Sequence, residues 1–324
     1  MRWVDYAKGI AILLVVVGHV LRGLIGSSIL KPSVAVTLTD GWIYAFHMPL
    51  FFFLSGLFAA SAASRPWKPF TVIKLKTLAY PYFVWATIQT TLEAVMASYT
   101  NTPGSLYEIL SIPFDPPSQF WFIYALFFMA FVHAAVYKLR VSAPVFLLLA
   151  VAFYATSDLV GLGPWRAPRL VRNCLIYFAL GTVASDVQMT ARLRQVRTQL
   201  LVSVVILGYL LVLAIVAYDA NRTLLSRPVC AILGGTATIC LAIVLERFDA
   251  ARSIHHWGRL SLQIYLAHVV VGSGVRIVLY KFVGYEQVAV HFVLGVLAAI
   301  YGPILLNWAS QRVGFKYLFS LRPS

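Results

Sequence analysis

Asp5-Tyr6-Ala7-Lys8-Gly9-Ile10-Ala11-Ile12-Leu13-Leu14-Val15-Val16-Val17-Gly18-His19 starts as a charged turn and becomes an apolar helix that ends on a histidine. Lys8 and His19 stand 11 positions apart. At about 3.6 residues per turn that is close to three whole turns, so both side chains fall on one helix face, about 16 Å apart along the axis. One end of the face suits the cytoplasmic surface and the other the interior of a bilayer. A second apolar stretch has the same character: Phe46-His47-Met48-Pro49-Leu50-Phe51-Phe52-Phe53-Leu54-Ser55-Gly56. Ionisable groups are costly in hydrocarbon and face a cavity or a partner when they occur there.

The rest of the chain supplies the membrane context. Hydrophobic residues make up 60% of the 324 positions and charged residues 11%, whereas soluble domains carry about a quarter charged residues. The expected fold class is an all-α integral membrane protein, because backbone polar groups in lipid must be satisfied within each span. A span needs about 20 mostly apolar residues. Ten segments qualify, at roughly 8–26, 42–63, 77–98, 119–137, 143–161, 171–188, 199–218, 228–246, 260–280 and 287–309. Neither a repeat nor a low-complexity tract interrupts them, so 1–324 reads as a single membrane domain with no appended soluble domain. No A-x-A-like site follows the first segment, so it reads as a retained span and not as a signal peptide.

The formal net charge is +15. It is spread through short loops, which excludes a nucleic-acid-binding module with a clustered basic face. With the N-terminus inside, 17 of the 26 Lys and Arg fall on the cytoplasmic side and 9 opposite. The inner set includes Arg65, Lys74, Lys76 and Arg322, and the outer set Arg22, Arg222 and Arg276. The positive-inside rule then places both termini in the cytoplasm. Cys174, Cys230 and Cys240 sit in or beside apolar runs, an odd number without metal-ligand spacing, and read as buried inert thiols.

On this topology His19 lies in the outer half of the first span, with Arg22 one turn beyond. His47 enters the second span from the same side, so the two imidazoles can face each other across adjacent helices. His19 is the candidate general base, with a pKa near neutrality; the plain alternative is a neutral histidine bonded to a neighbouring helix. His47 orients substrate or only sits at the interface. His268, in the ninth span, is a pocket wall or a structural residue. His255 and His256 read as solvated, and His133 and His291 give no signal. Asp5 and Lys8 are spaced as an ion pair on one turn. Arg65, Lys74 and Lys76, ahead of Tyr80-Pro81-Tyr82, form the densest basic stretch. They serve topology, or they hold phosphates as point charges. Met48-Pro49 and Ser55-Gly56 are expected to break the second helix, and the small pair at Ser55 lets another backbone or a substrate arm approach.

These residues resemble the acyltransferase 3 family of polytopic membrane O-acyltransferases, in particular its fucose 4-O-acetylase-like and polysaccharide O-acetyltransferase members. Lys8 and His19 match the family's Arg/Lys-x10-His motif, and Phe46 to Gly56 matches its second motif. Lys74 to Tyr82 is similar to its basic segment before Pro-Tyr. Phe120-Trp121-Phe122-Ile123, Tyr177-Phe178-Ala179-Leu180-Gly181 and Ser261 to His268 resemble later motifs. The resemblance implies transfer of an acetyl or other acyl group from cytoplasmic acyl-CoA, most often acetyl-CoA, to a hydroxyl of a cell-surface glycan or lipid-linked saccharide. It implies no metal. It maps the essential histidine onto His19 and the essential basic residue onto Lys8, with Asp5 in the lead-in. His47, Ser55, Arg22 and His268 are then expected near the substrate, and Lys74, Lys76 and Arg65 near the CoA phosphates. The expected location is the bacterial inner membrane, and the expected partners are acyl-CoA, the saccharide acceptor and the bilayer. The acceptor, the acyl group and the oligomeric state stay open. So does a second class, a secondary transporter with buried His and Asp in proton coupling, although no inverted repeat supports it.

Overall fold

The structure, a computed structural model, describes residues 1–101, 104–219 and 223–321. Arg222 and Arg322, counted above for topology, lie outside the described residues. The order is α1 (Arg2–Gly26), α2 (Val34–Gly56), α3 (Ala59–Ala63), α4 (Trp67–Lys74), α5 (Tyr80–Val95), α6 (Trp121–Lys138) and α7 (Ala143–Ala155). Then come α8 (Arg166–Asp186), α9 (Met189–Leu193), α10 (Thr198–Tyr218), α11 (Ser226–Arg247), α12 (Arg252–Arg259), α13 (Ser261–Ile277) and α14 (Val288–Arg312). No strand occurs among the described residues.

Each of the ten apolar segments overlaps helical structure, although 42–63 runs through the end of α2 and a turn into α3, and 143–161 continues past the end of α7. Six helical stretches are long and apolar enough to cross a membrane: Arg2–Gly26, Ser118–Lys138, Thr198–Tyr218, Ser226–Arg247, Ser261–Phe282 and Val288–Arg312. The other four differ for local reasons. Helix α7 has 13 residues, and α8 opens with Arg166, Arg169 and Arg172. Asp40 and His47 interrupt the apolar run of α2. A π turn at Leu75–Ala79 precedes α5. Outward-facing leucines on α10 (Leu200, Leu207, Leu210) and α14 (Leu294, Leu305) are exposed, as lipid-facing side chains are and water-facing ones rarely are.

The chain divides into two compact units. The first comprises Met1–Met48, Thr91–Ser105 and Val196–Phe319. Helix α1 is its axis, with α11, α12, α13 and α14 packed around it. The short α12 touches α1 backbone to backbone: a Cβ added at Gly9 would lie 1.9 Å from the Ile254 carbonyl oxygen, and one at Gly258 1.7 Å from that of Asp5. Asp249, in the turn before α12, binds Arg2 and Arg252. Its hydrogen bond to Arg2, and then that to Arg252, hold its carboxyl below the usual carboxylate range. Phe46 is fully buried with Val212, Val216 and Cys230 against Trp42 and Tyr209.

The second unit comprises Pro49–Thr90 and Leu106–Gln195, together with Ser320 and Leu321. Here α6 packs on α3 and α8, and α7 on α8. The end of α2 crosses α8 at Gly56 and Gly181, where added Cβ atoms would come within 2.1 Å of the Phe178 and Phe53 carbonyl oxygens. The close backbone approach expected at Ser55-Gly56 is therefore present, made by another helix. Arg172, 5% exposed, donates to the carbonyls of Thr156, Ser157 and Val160 and so ties α8 to the turn that follows α7.

One expectation is corrected. Met48-Pro49 does not break α2, which runs unbroken through Pro49 to Gly56. A proline there removes a single N–H, and packed membrane helices tolerate the loss. The π turn at Leu75–Ala79 has a similar origin: Pro81 cannot donate to the carbonyl four residues back, and a wider turn makes room for its ring.

Candidate active site

Helix α1 carries Lys8 and His19 without interruption, so the computed rise of about 16 Å between them stands. His19 is half-buried and makes no hydrogen bond among the described residues. His268, on α13, is 1% exposed, and its ring centre lies 5.0 Å from that of His19, with the planes at 64°. His268 Nδ1 lies 2.8 Å from the Tyr265 carbonyl oxygen and 3.1 Å from that of Ile264. Carbonyl oxygens only accept, so Nδ1 carries the proton and Nε2 keeps a lone pair. That Nε2 is buried and has no hydrogen-bond partner. His47, also 1% exposed, holds its Nδ1 2.6 Å from the Ile43 carbonyl oxygen, and the same tautomer follows.

Tyr44 stands beside both α1 and α2 imidazoles. Its ring centre is 6.3 Å from that of His19 and 4.8 Å from that of His47, edge-on to each. Arg22 lies flat over the Tyr44 ring, 3.2 Å from the centroid. Its Nε and Nη2 donate to the two carboxylate oxygens of Asp40 at 2.7 and 2.9 Å. The guanidinium meets Tyr44 over the ring face, close to its buried hydroxyl. Gly18 makes this fit possible, since a Cβ there would lie 2.8 Å from Tyr44 Cε2. The arrangement is a candidate base beside one pre-oriented imidazole acceptor, His268, with a second imidazole of fixed tautomer, a phenol and an ion pair that fixes the phenol. It can take a proton from a hydroxyl and meet developing negative charge on a carbonyl oxygen.

The structure thus brings His19, His47, His268 and Arg22 together. At the other end of α1 the Asp5–Lys8 pair gives way to a different contact: the Asp5 carboxylate lies 3.6 Å from His255 Nε2. The cause is α12, whose backbone lies against α1 at this level. His255 is not solvated. It is half-buried, with its ring centre 5.2 Å from that of Tyr6. His256 is exposed.

Ser55, Arg65, Lys74 and Lys76 belong to the second unit. Ser55 Oγ donates to the Phe51 carbonyl at 2.8 Å. Lys74 closes α4 half-buried, its Nζ 5.6 Å from the Phe70 ring centroid. Burial, and then the charge of neighbouring Arg65, push Lys74 below the ordinary lysine value. Lys76 is exposed on the π turn, and Arg65 is exposed with its carbonyl bound by Lys138 Nζ at 2.7 Å.

Tyr44 and Asp40 were not singled out from sequence, although a signal exists. Asp40, Tyr44 and His47 follow an i, i+4, i+7 spacing, which places all three on one face of α2.

Comparison with known proteins bears on the family. The nodulation protein NolL of Mesorhizobium japonicum is 35% identical over 132 residues, 38% of this chain and 32% of NolL. The match thus spans about a third of that relative's length. No solved structure matches. The family described as "acyltransferase domain" matches residues 1–308, a span that holds every site residue named above, and the chain belongs to this acyltransferase 3 family.

Proposed function

We propose that the protein is a multi-pass O-acyltransferase of the bacterial inner membrane. It moves an acetyl or other acyl group from cytoplasmic acyl-CoA to a hydroxyl of a cell-surface glycan or lipid-linked saccharide. The observation that carries this reading is His19 beside the buried, partnerless Nε2 of His268, at the opposite end of one unbroken helix from Lys8. In the proposed step the acceptor oxygen attacks the thioester carbonyl carbon while its proton passes to His19. The carbon–sulfur bond breaks, the ester forms, and the proton ends on the CoA thiol. Tyr44 is placed to donate to the carbonyl oxygen as charge builds there. Arg22 is already engaged by Asp40, and its role is to hold Tyr44. Ten spans with both termini in the cytoplasm put Lys8 and the basic group Arg65, Lys74 and Lys76 where CoA is available.

The direct test uses acetyl-labelled acetyl-CoA and membranes from a deletion strain and the same strain complemented. Label in lipid-linked or surface glycan only on complementation is the expected result. Glycan movement without label incorporation would instead establish the transporter reading.

A further inference from the structure

A polar cleft of about 230 Å³ lies at the C-terminal ends of α1 and α13, wholly within the first unit. It begins about two turns beyond the imidazoles. Gly26 is seven residues past His19 and Arg276 eight past His268, about 10 and 12 Å of helix rise. Its floor is built. The Gly23 carbonyl at the end of α1 accepts from Arg276 Nη1 at 2.6 Å and from Asn101 Nδ2 at 3.1 Å. Arg276 is 9% exposed, and a Cβ at Gly23 would lie 2.9 Å from its Nη1.

The walls combine two cationic residues, Arg276 and Lys281, with Ser27, Tyr99 and Tyr280. Among the described residues, no Asp or Glu lines the cleft. The two cations owe their convergence to local backbone. Residues five apart point about 140° away from each other on an α-helix, but α13 passes into a π turn at Val278–Phe282, whose wider coil narrows that angle. Such turns are frequent at functional sites. Whole-ligand pockets run from about 300 Å³ upward, so this volume suits one charged group and not a complete acceptor.

We propose that this cleft binds an anionic group carried by the saccharide acceptor, a phosphate or a carboxylate, and so presents a neighbouring hydroxyl to the imidazoles. The proposal rests on the acyltransferase reading for the identity of the ligand, but anion binding at the cleft is separable from catalysis. Purified protein in detergent is titrated with pyrophosphate, with glucuronate and with glucose, and thermal stability is followed. Wild type should be stabilised by one of the two anions and not by glucose. Pyrophosphate alone would mark a phosphate-linked acceptor, and glucuronate alone an acidic sugar. Lys281→Gln, a change at an exposed position away from the Gly23 floor, should weaken the response about tenfold at constant salt. No response to either anion, or equal responses from wild type and variant, overturns the proposal. Anion binding that depends on Lys281 without transfer of any acyl group from acyl-CoA would overturn the acyltransferase reading and leave the anion subsite standing.

Discussion

The ring centres of His19 and His268 lie 5.0 Å apart, and Tyr265 fixes the His268 tautomer by accepting from its Nδ1 at 2.8 Å. On the proposed reading, the buried imidazole acceptor and the untethered imidazole beside it act together. The expectation is that His19→Ala abolishes acyl transfer without loss of membrane insertion. His268→Gln keeps the volume and loses the basic nitrogen, and should lower kcat about 100-fold with little change in acceptor KM. Groups that act together are not additive, so the double variant should be no slower than His19→Ala alone. A wild-type kcat in His268→Gln would reduce that residue to a pocket wall.

Tyr44 is held from three sides, by Arg22 over its ring, by His47 at its edge and by Gly18 beneath it. Tyr44→Phe removes the buried hydroxyl and leaves the ring in place. It should reduce kcat about tenfold or more, the scale of one lost donor to a developing oxyanion, with protein level and donor KM unchanged. Gly18→Ala should do similar harm by displacing the ring. Full activity in both would remove Tyr44 from the chemistry.

Helix positions and the Lys8–His19 face were legible in sequence because they depend on local periodicity and on one helix. The partner of His19 was not, because α1 and α13 are far apart in sequence and meet only through packing. The same is true of Asp5, whose i+3 neighbour Lys8 is the natural choice until α12 folds back and supplies His255. Proline misled in one place: Met48-Pro49 reads as a break, whereas α2 absorbs the missing donor and continues. The polar cleft was invisible because it takes α1, α13, a π turn and the segment around Asn101 to form it.

The α1–α12 contact leaves no room for a side chain, so Gly9→Ala and Gly258→Ala should each lower the Tm measured in detergent. Overpacking of this kind costs about 1–3 kcal/mol where a side chain can yield, and here the obstructing atoms are backbone carbonyls. Gly235→Ala is the control, since nothing lies within 4 Å of the added Cβ. Equal Tm values for all three would contradict the packing of α12 on α1.

Topology is tested by a reporter fused to the C-terminus and a second at the N-terminus. Ten spans require both to report from the cytoplasm, as the excess of Lys and Arg on that side predicts. A C-terminal reporter active only outside the cytoplasm would require an odd number of crossings. The polar helix α8, with its three arginines at one end, would then be the first to reconsider.

The basic group of the second unit yields the sharpest kinetic expectation. Lys74 is half-buried next to Arg65, and like charges held together gain from a bound anion. If CoA phosphates are that anion, replacing Lys74 and Lys76 with Gln should raise donor KM about tenfold and leave acceptor KM alone, per folded molecule. A purely topogenic role predicts the reverse: less inserted protein and normal kinetics. The pH profile separates the two further. Burial and Arg65 lower the Lys74 pKa, so its charge is present at low pH and is lost as pH rises through a value below that of an ordinary lysine. Donor KM should therefore climb on the alkaline side in wild type, and Lys74→Arg, which keeps its charge throughout, should flatten that climb. An unchanged donor KM in the double Gln variant would leave Lys8 to hold the CoA end of the path.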